Sequence, residues 1–339
     1  MSSTNHTQLN TTLDVQRQGI LGVAFFSTVT TLPCCVFLFI NVTMLYTLRS
    51  KEVFRETSRY ILLFNLLFSD TIQLAHSQSM FLLSSFRVTL LYSVCVVLTI
   101  LNNLTHSVSV ITLVVMCLER YIAVCFPFKH SVLITTKNTG VVICIIWCFS
   151  SFKDMMQLTL ALKLFLHNVS TVQMQDFCGL ENVFVDPASV IFNKAFTYFL
   201  FVLGGVAVVF SYAGVVVAAR SASTDKASAN KARRTLLLHL LQLGLTLSST
   251  IHNSLLIVIS NNLDRVQSVN MQIILYVCDI VLPKCLSSLI YGLRDQTIRP
   301  VLMLNLTCQW RSSALISDAQ ARNKIKVHGL VNVQQAERL

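Results

Sequence analysis

The feature that most constrains this chain is a succession of seven apolar stretches, each long enough to cross a bilayer as a helix. Such a helix needs about 20 mainly apolar residues. Lipid offers no partner to backbone N–H and C=O groups, and a helix satisfies them within itself. The stretches run near 20–48, 58–85, 92–124, 139–162, 193–219, 233–260 and 269–293. Hydrophobic residues make up 54% of the chain and charged ones only 12%, more apolar surface than a domain in water hides. Little strand alternation occurs, which disfavours a lipid-facing barrel. The expected fold is an all-α membrane protein: a seven-transmembrane-helix bundle followed by a short amphipathic cytoplasmic segment.

Charge placement orients the bundle. Arg49, Lys51, Arg55 and Arg59 follow the first run, Lys129 and Lys137 the third, and Arg220, Lys226, Lys231, Arg233 and Arg234 the fifth. The opposite side carries Arg17, Arg87, Lys163 and Arg265. The positive-inside rule therefore places the N-terminus outside and the tail in the cytoplasm, as in a multi-pass protein of the plasma membrane. Residues 1–19 form an extracellular tail, 20–300 the membrane domain and 301–339 a cytoplasmic tail. Because 1–19 are polar and the first run is too long and too late for an h-region, no cleavable signal peptide is expected. The net charge of +11 reflects basic loops facing an anionic lipid bilayer and requires no nucleic acid. Asn5, Asn10 and Asn168 open sequons on predicted outer segments and are candidate glycan acceptors. Those at Asn41, Asn103 and Asn305 fall in the bilayer or inside and are discounted.

Adjacent acid and base, Glu119 and Arg120, end the third run, where burial is expensive unless the charges serve a purpose. The surrounding Met116-Cys117-Leu118-Glu119-Arg120-Tyr121-Ile122-Ala123-Val124-Cys125-Phe126-Pro127 resembles the Asp/Glu-Arg-Tyr signature of rhodopsin-like G-protein-coupled receptors. Its extension through Ala123, Cys125 and Pro127 is similar to that of odorant receptors. Lys231-Ala232, Thr235 and His239-Leu240 resemble the same receptors' pattern at the inner end of the sixth helix. Phe126-Pro127-Phe128-Lys129-His130 looks most like the fish-type group. The resemblance covers roughly residues 20–300.

The resemblance implies roles. Arg120 would pair with Glu119 at rest and be released to meet a heterotrimeric G protein, a bistable element that a ligand can bias; otherwise it is an interfacial arginine that snorkels to headgroups. Tyr121 completes the motif. Tyr212 either swings toward the arginine on activation or anchors the fifth run at the interface. His239 would be a coupling contact; as a metal ligand or acid–base group it lacks a helically spaced partner. Asp70 would pair with Asn41 around a water and sodium pocket, or make a structural interhelical hydrogen bond. Trp147 would pack. Tyr291 and Arg294 match the ending of the family's seventh helix, but Ser287-Ser288 stand where Asn-Pro is usual, and Pro283 remains to kink the helix. Runs five and six lack their usual prolines, with Gly204, Gly205 and Gly244 as substitutes for local looseness. Cys95, opening the third run, and Cys178, in the second outer loop, would form the family's disulfide, which an oxidising exterior favours. Cys308 is either palmitoylated or a free thiol.

Polar residues at outer-half depth suggest a ligand pocket. Asn102 and His106 share one face with positions 109, 113, 117 and 120. His252 and Asp279 lie at similar depth in the sixth and seventh runs. Each is expected either to meet ligand or to form an interhelical hydrogen bond. Lys153, Asp154 and Lys284 are further charges expected to pair within the bundle. The position of the aminergic Asp is Asn102 here, and that of the opsin Schiff-base Lys is Val281. A small organic odorant in a mostly apolar pocket is therefore the implied ligand. The alternatives are a rhodopsin-like receptor for another small molecule or lipid, or a channel or transporter, which would need a polar pathway. The eight His are scattered without an H-x-x-H motif, so no metal, cofactor or enzyme activity is expected.

Overall fold

The computed structural model describes residues 27–86, 88–167, 178, 183–184, 186–221, 237, 240–242, 244–249, 267, 271, 274–295 and 297–306. The long helices are α1 (Ser27–Ser50), α3 (Ser58–Ser85), α4 (Tyr92–Cys125), α6 (Thr136–His167) and α7 (Pro187–Ser221). Two short helices, α2 (Glu52–Glu56) and α5 (Pro127–Leu133), turn the chain between them. A described stretch of the sixth run forms α8 (Leu240–Ser249). The seventh run is a π-helical turn, Tyr276–Val281, continuing into α9 (Leu282–Arg294), and α10 (Ile298–Leu306) follows. Among the described residues, four segments are long and apolar enough to cross a membrane: α1, α4, Thr136–Leu160 of α6 and Pro187–Gly214 of α7.

Helix α4 occupies the centre, packed against α3, α6 and α7. Its small polar residues tolerate that position because their hydroxyls bond back to the preceding turn. Thr105 donates to the Leu101 carbonyl at 2.9 Å, Ser107 to Asn103 at 2.9 Å and Thr112 to Val108 at 2.6 Å. The apolar core joins Met44, Leu63, Leu66, Leu67, Leu113, Met116, Leu200, Leu247 and Tyr291. The outward faces of α6 and α7 are apolar too: Val141, Ile145, Phe152, Ile191, Val202 and Val209 are all exposed. Helices apolar all round suit a lipid solvent; the protein is a multi-pass membrane protein.

Helix ends follow local chemistry. Asp186 accepts from the backbone N–H of Ala188 at 3.1 Å and of Ser189 at 3.2 Å, so α7 begins with a capped Pro187. Helix α7 therefore starts before the expected 193, and α6 exceeds the expected 139–162 at both ends, whereas α3 matches 58–85. Asp295 caps α10 through Thr297 N–H at 2.9 Å, and Ile298 and Leu302, one turn apart, bury its inner side. The π-helical turn runs up to Leu282-Pro283, where proline withdraws an N–H from the helical ladder. Gly204 provides closeness rather than looseness: a Cβ there would come within 2.9 Å of Leu247 on α8.

Candidate functional site

Three polar layers are stacked along α4. At one end Glu119 is buried and its carboxylate meets an arginine and a histidine. Arg120 Nε lies 3.2 Å from Oε2, and His130 Nε2, on α5, lies 3.3 Å from Oε1. The arginine contact is an ion pair by distance without hydrogen-bond alignment, leaving Arg120 only loosely held. Arg120 also lies within the electrostatic reach of Tyr291, Asp295 and Arg59. Nearby, Arg59 bridges to Asp295 at 3.0 Å, tying the start of α3 to the α9–α10 corner. Tyr121 packs against Phe210 with ring centroids 5.1 Å apart, and its ring fills the space where a Cβ on Gly214 of α7 would stand. Tyr212 is exposed and makes no hydrogen bond to Arg120 among the described residues.

The middle layer centres on Asp70, which is 1% exposed. Ser109 of α4 donates to Oδ1 at 2.7 Å, Ser287 of α9 to Oδ2 at 2.7 Å, and Lys284 Nζ of α9 to Oδ1 at 3.1 Å. Gln242 of α8 donates to Ser287 Oγ, so one carboxylate joins α3, α4, α8 and α9. Two expectations fail here. Asn41 is buried but makes no side-chain hydrogen bond among the described residues, so it is not the partner of Asp70. Nor do the residues fit a sodium ion: it would sit about 4 Å from an ammonium, a repulsion of about 4 kcal/mol at an effective dielectric of about 20. Beside this network Asn65 donates to Thr112 at 2.9 Å and accepts from Trp147 Nε1 at 2.9 Å. Trp147 thus does more than pack: it fastens α6 to α3.

The third layer faces the Cys95 end. Cys95 and Cys178 are disulfide-bonded, with Cα atoms 5.6 Å apart. Val183 and Phe184 are buried against Cys95, and Tyr92 donates to the Val183 carbonyl at 3.2 Å, drawing the loop over the top of α4. Below it, Lys153 and Asp154 are buried side by side on α6 and paired at 2.9 Å. The Lys153 ammonium stands 5.3 Å from the Phe196 ring of α7. His106 lies within electrostatic reach of both Lys153 and Lys284. Buried polar atoms of Asn103 on α4, Gln157 on α6 and Ser189 on α7 make no side-chain hydrogen bond among the described residues. Such groups are costly unless partnered, which makes these side chains candidates for ligand contact. Asn102 is half-buried on α4. Gln157 escaped the sequence reading, although a polar residue within an apolar run was a signal.

The remaining candidates fall elsewhere. Asn5, Asn10, Asn168, His239, His252 and Cys308 lie outside the described residues, and Asp279 belongs to the π-helical turn. Among the described residues no group of three or more His, Cys, Asp or Glu is placed to hold a metal.

Comparison with known proteins agrees with this arrangement. A family model described as 7 transmembrane receptor (rhodopsin family) matches residues 40–291. Odorant receptor 131-2 of Danio rerio is 30% identical over 281 residues, covering 80% of this chain and 83% of that protein.

Proposed function

Because the chain belongs to the rhodopsin family of seven-transmembrane receptors, we propose that it is an odorant receptor that binds a small organic ligand near its Cys95 end and activates a heterotrimeric G protein at its Arg120 end. A family of receptors rather than enzymes is the setting, and the relative in Danio rerio is named an odorant receptor. The observation that carries the reading is one helix, α4, with the Glu119–Arg120 ion pair at one end and buried, unpartnered polar atoms such as Asn103 Nδ2 toward the other. Orientation follows the basic loops: plasma membrane, N-terminus outside, with 1–19 extracellular, 20–300 the receptor domain and 301–339 cytoplasmic.

The proposed ligand class follows from the residues assigned to the site. Asn103, His106, Lys153, Asp154 and Gln157 would offer donors and acceptors, and Phe196 a ring face. A compact organic molecule carrying at least one hydrogen-bonding group suits this better than a bare hydrocarbon or a lipid chain. Asn102, His252 and Asp279 belong to the proposed set on sequence grounds. Ligand contact at His106 reaches Lys284 electrostatically, and Lys284 belongs to a network shared by α3, α4, α8 and α9. A ligand that prefers one arrangement of those helices shifts their population. Release of Arg120 from Glu119, with Tyr121, Tyr212, His239 and Tyr291 as accompanying groups, then exposes the G-protein surface. The disulfide and the proposed glycans at Asn5, Asn10 and Asn168 belong to the outer face.

The test is cAMP production in cells expressing the receptor with a stimulatory olfactory-type G protein, scanned against water-soluble and volatile odorants beside Arg120→Ala. A dose-dependent rise that Arg120→Ala abolishes is the expected result. Silence of the surface-expressed receptor across ligand panels and G-protein subtypes would refute the proposal.

A further inference from the structure

The Asp70 network has the wiring of a completed cation site. Its two serine hydroxyls each spend their proton on the carboxylate, at 2.7 Å from Ser109 to Oδ1 and 2.7 Å from Ser287 to Oδ2. Their oxygens are engaged in turn: Ser109 Oγ accepts from Lys284 Nζ at 3.5 Å, and Ser287 Oγ accepts from Gln242 Nε2. Two N–H···O–H···O⁻ chains thus converge on one carboxylate, and Lys284 also donates to Oδ1 directly at 3.1 Å. A metal cation needs oxygen lone pairs. Three of the oxygens it would use, Asp70 Oδ1, Ser109 Oγ and Ser287 Oγ, already accept from N–H donors. Charge gives the same answer: Asp70 and Lys284 are 1% and 2% exposed in side chain and neutralise one another, so an added ion would bring an uncompensated charge into the bundle.

We propose that Lys284 is a covalently tethered counter-cation, taking the place of a dissociable sodium ion beside Asp70, and that it makes the stability and resting conformation of this receptor independent of sodium. A bound ion stabilises whichever state holds it according to its concentration. A lysine in the chain has no such dependence, and it joins α9 to α3 and α4 at constant strength. Movement of α9 must carry Lys284 with it and stretch the pair. Movement of α8 must break Gln242 from Ser287. The coupling of these helices therefore answers to ligand and G protein, not to the salt outside.

Purified receptor in lipid nanodiscs tests this by thermal unfolding at about 0.15 M ionic strength, with sodium chloride or N-methyl-D-glucamine chloride. Wild type is expected to unfold at the same temperature in both salts. Lys284→Ser frees Asp70, Ser109 and Ser287 to coordinate an ion, so sodium is expected to raise its unfolding temperature saturably, by about 2–4 °C once the ion exceeds its dissociation constant several-fold. Lys284→Arg keeps a cation and is expected to stay indifferent. A saturable sodium-specific rise in wild type would overturn the proposal, and so would a folded Lys284→Ser protein that ignores sodium. If Lys284→Ser does not fold, the wild-type and Lys284→Arg comparisons still decide. The readout requires neither an odorant nor a G protein, so it stands or falls separately from the proposed function.

Discussion

Removing the carboxylate of Asp70 leaves an ammonium in the middle of the bundle with little to neutralise it. In the native network Lys284 is 3.1 Å from Asp70 Oδ1 and 3.5 Å from Ser109 Oγ; in Asp70→Ala only the weak serine contact survives. Breaking a buried pair from one side costs about 3–5 kcal/mol, and an unpaired lysine at the centre of a membrane helix about 2.5–3.5 kcal/mol on insertion scales. The two routes agree on about 3 kcal/mol. Ser109 and Ser287 also lose their acceptor, at about 1 kcal/mol each. The total is about 5 kcal/mol, and with roughly 2–4 °C per kcal/mol Asp70→Ala should lower the unfolding temperature in nanodiscs by about 10–20 °C. The double variant Asp70→Ala/Lys284→Met removes both charges and should recover at least half of that loss, a coupling well above the ~0.5 kcal/mol scatter of additive sites. If the double variant falls as far as the sum of its single variants, the pair is not coupled and the network described here is wrong.

Cys95→Ser should cost about 2–5 kcal/mol, since the bond closes a separation of 83 residues, and Cys95→Ser/Cys178→Ser should be no worse than either single change; unfolding temperature and surface expression check this. Gly214→Ala should disturb coupling and stability by about 1–3 kcal/mol, because its Cβ meets the Tyr121 ring. Gly205→Ala on the same helix meets nothing within 4 Å and should be neutral or slightly stabilising, so equal effects at the two glycines would refute the packing argument. Glu119→Gln weakens the attraction to both Arg120 and His130 and should raise basal cAMP, whereas an unchanged basal level would show that the pair does not restrain the resting state. Trp147→Phe loses the bond to Asn65 and should cost about 1 kcal/mol in unfolding experiments.

Hydropathy located the long helices because lipid imposes a length and an apolar run that are visible one residue at a time. Residues 58–85 coincide with α3, although its polar residues, Asp70 among them, leave it outside the four described segments most apolar in hydropathy. Helix ends are less visible: α7 begins at Pro187 because Asp186 caps it, and capping leaves no trace in hydropathy. Cys95–Cys178 and Glu119–Arg120 were readable from position and motif. The partner of Asp70 was not. Asn41 shared its depth, but depth does not tell which way a side chain points around the helix axis. Lys284, 214 positions away, is brought to Asp70 only by the packing of α9 on α3 and α4. Trp147 with Asn65 is the same case: the tryptophan was read as a packing residue, and its meeting with Asn65 is a property of the assembled helices.

The central claim is tested most directly by nucleotide exchange on a heterotrimeric G protein mixed with purified receptor in nanodiscs. Exchange should accelerate with wild-type receptor, accelerate further with an agonist found in the odorant scan, and return to the receptor-free rate with Arg120→Ala. Exchange at the receptor-free rate with folded wild-type receptor, across the G-protein subtypes and with agonist present, would contradict the account.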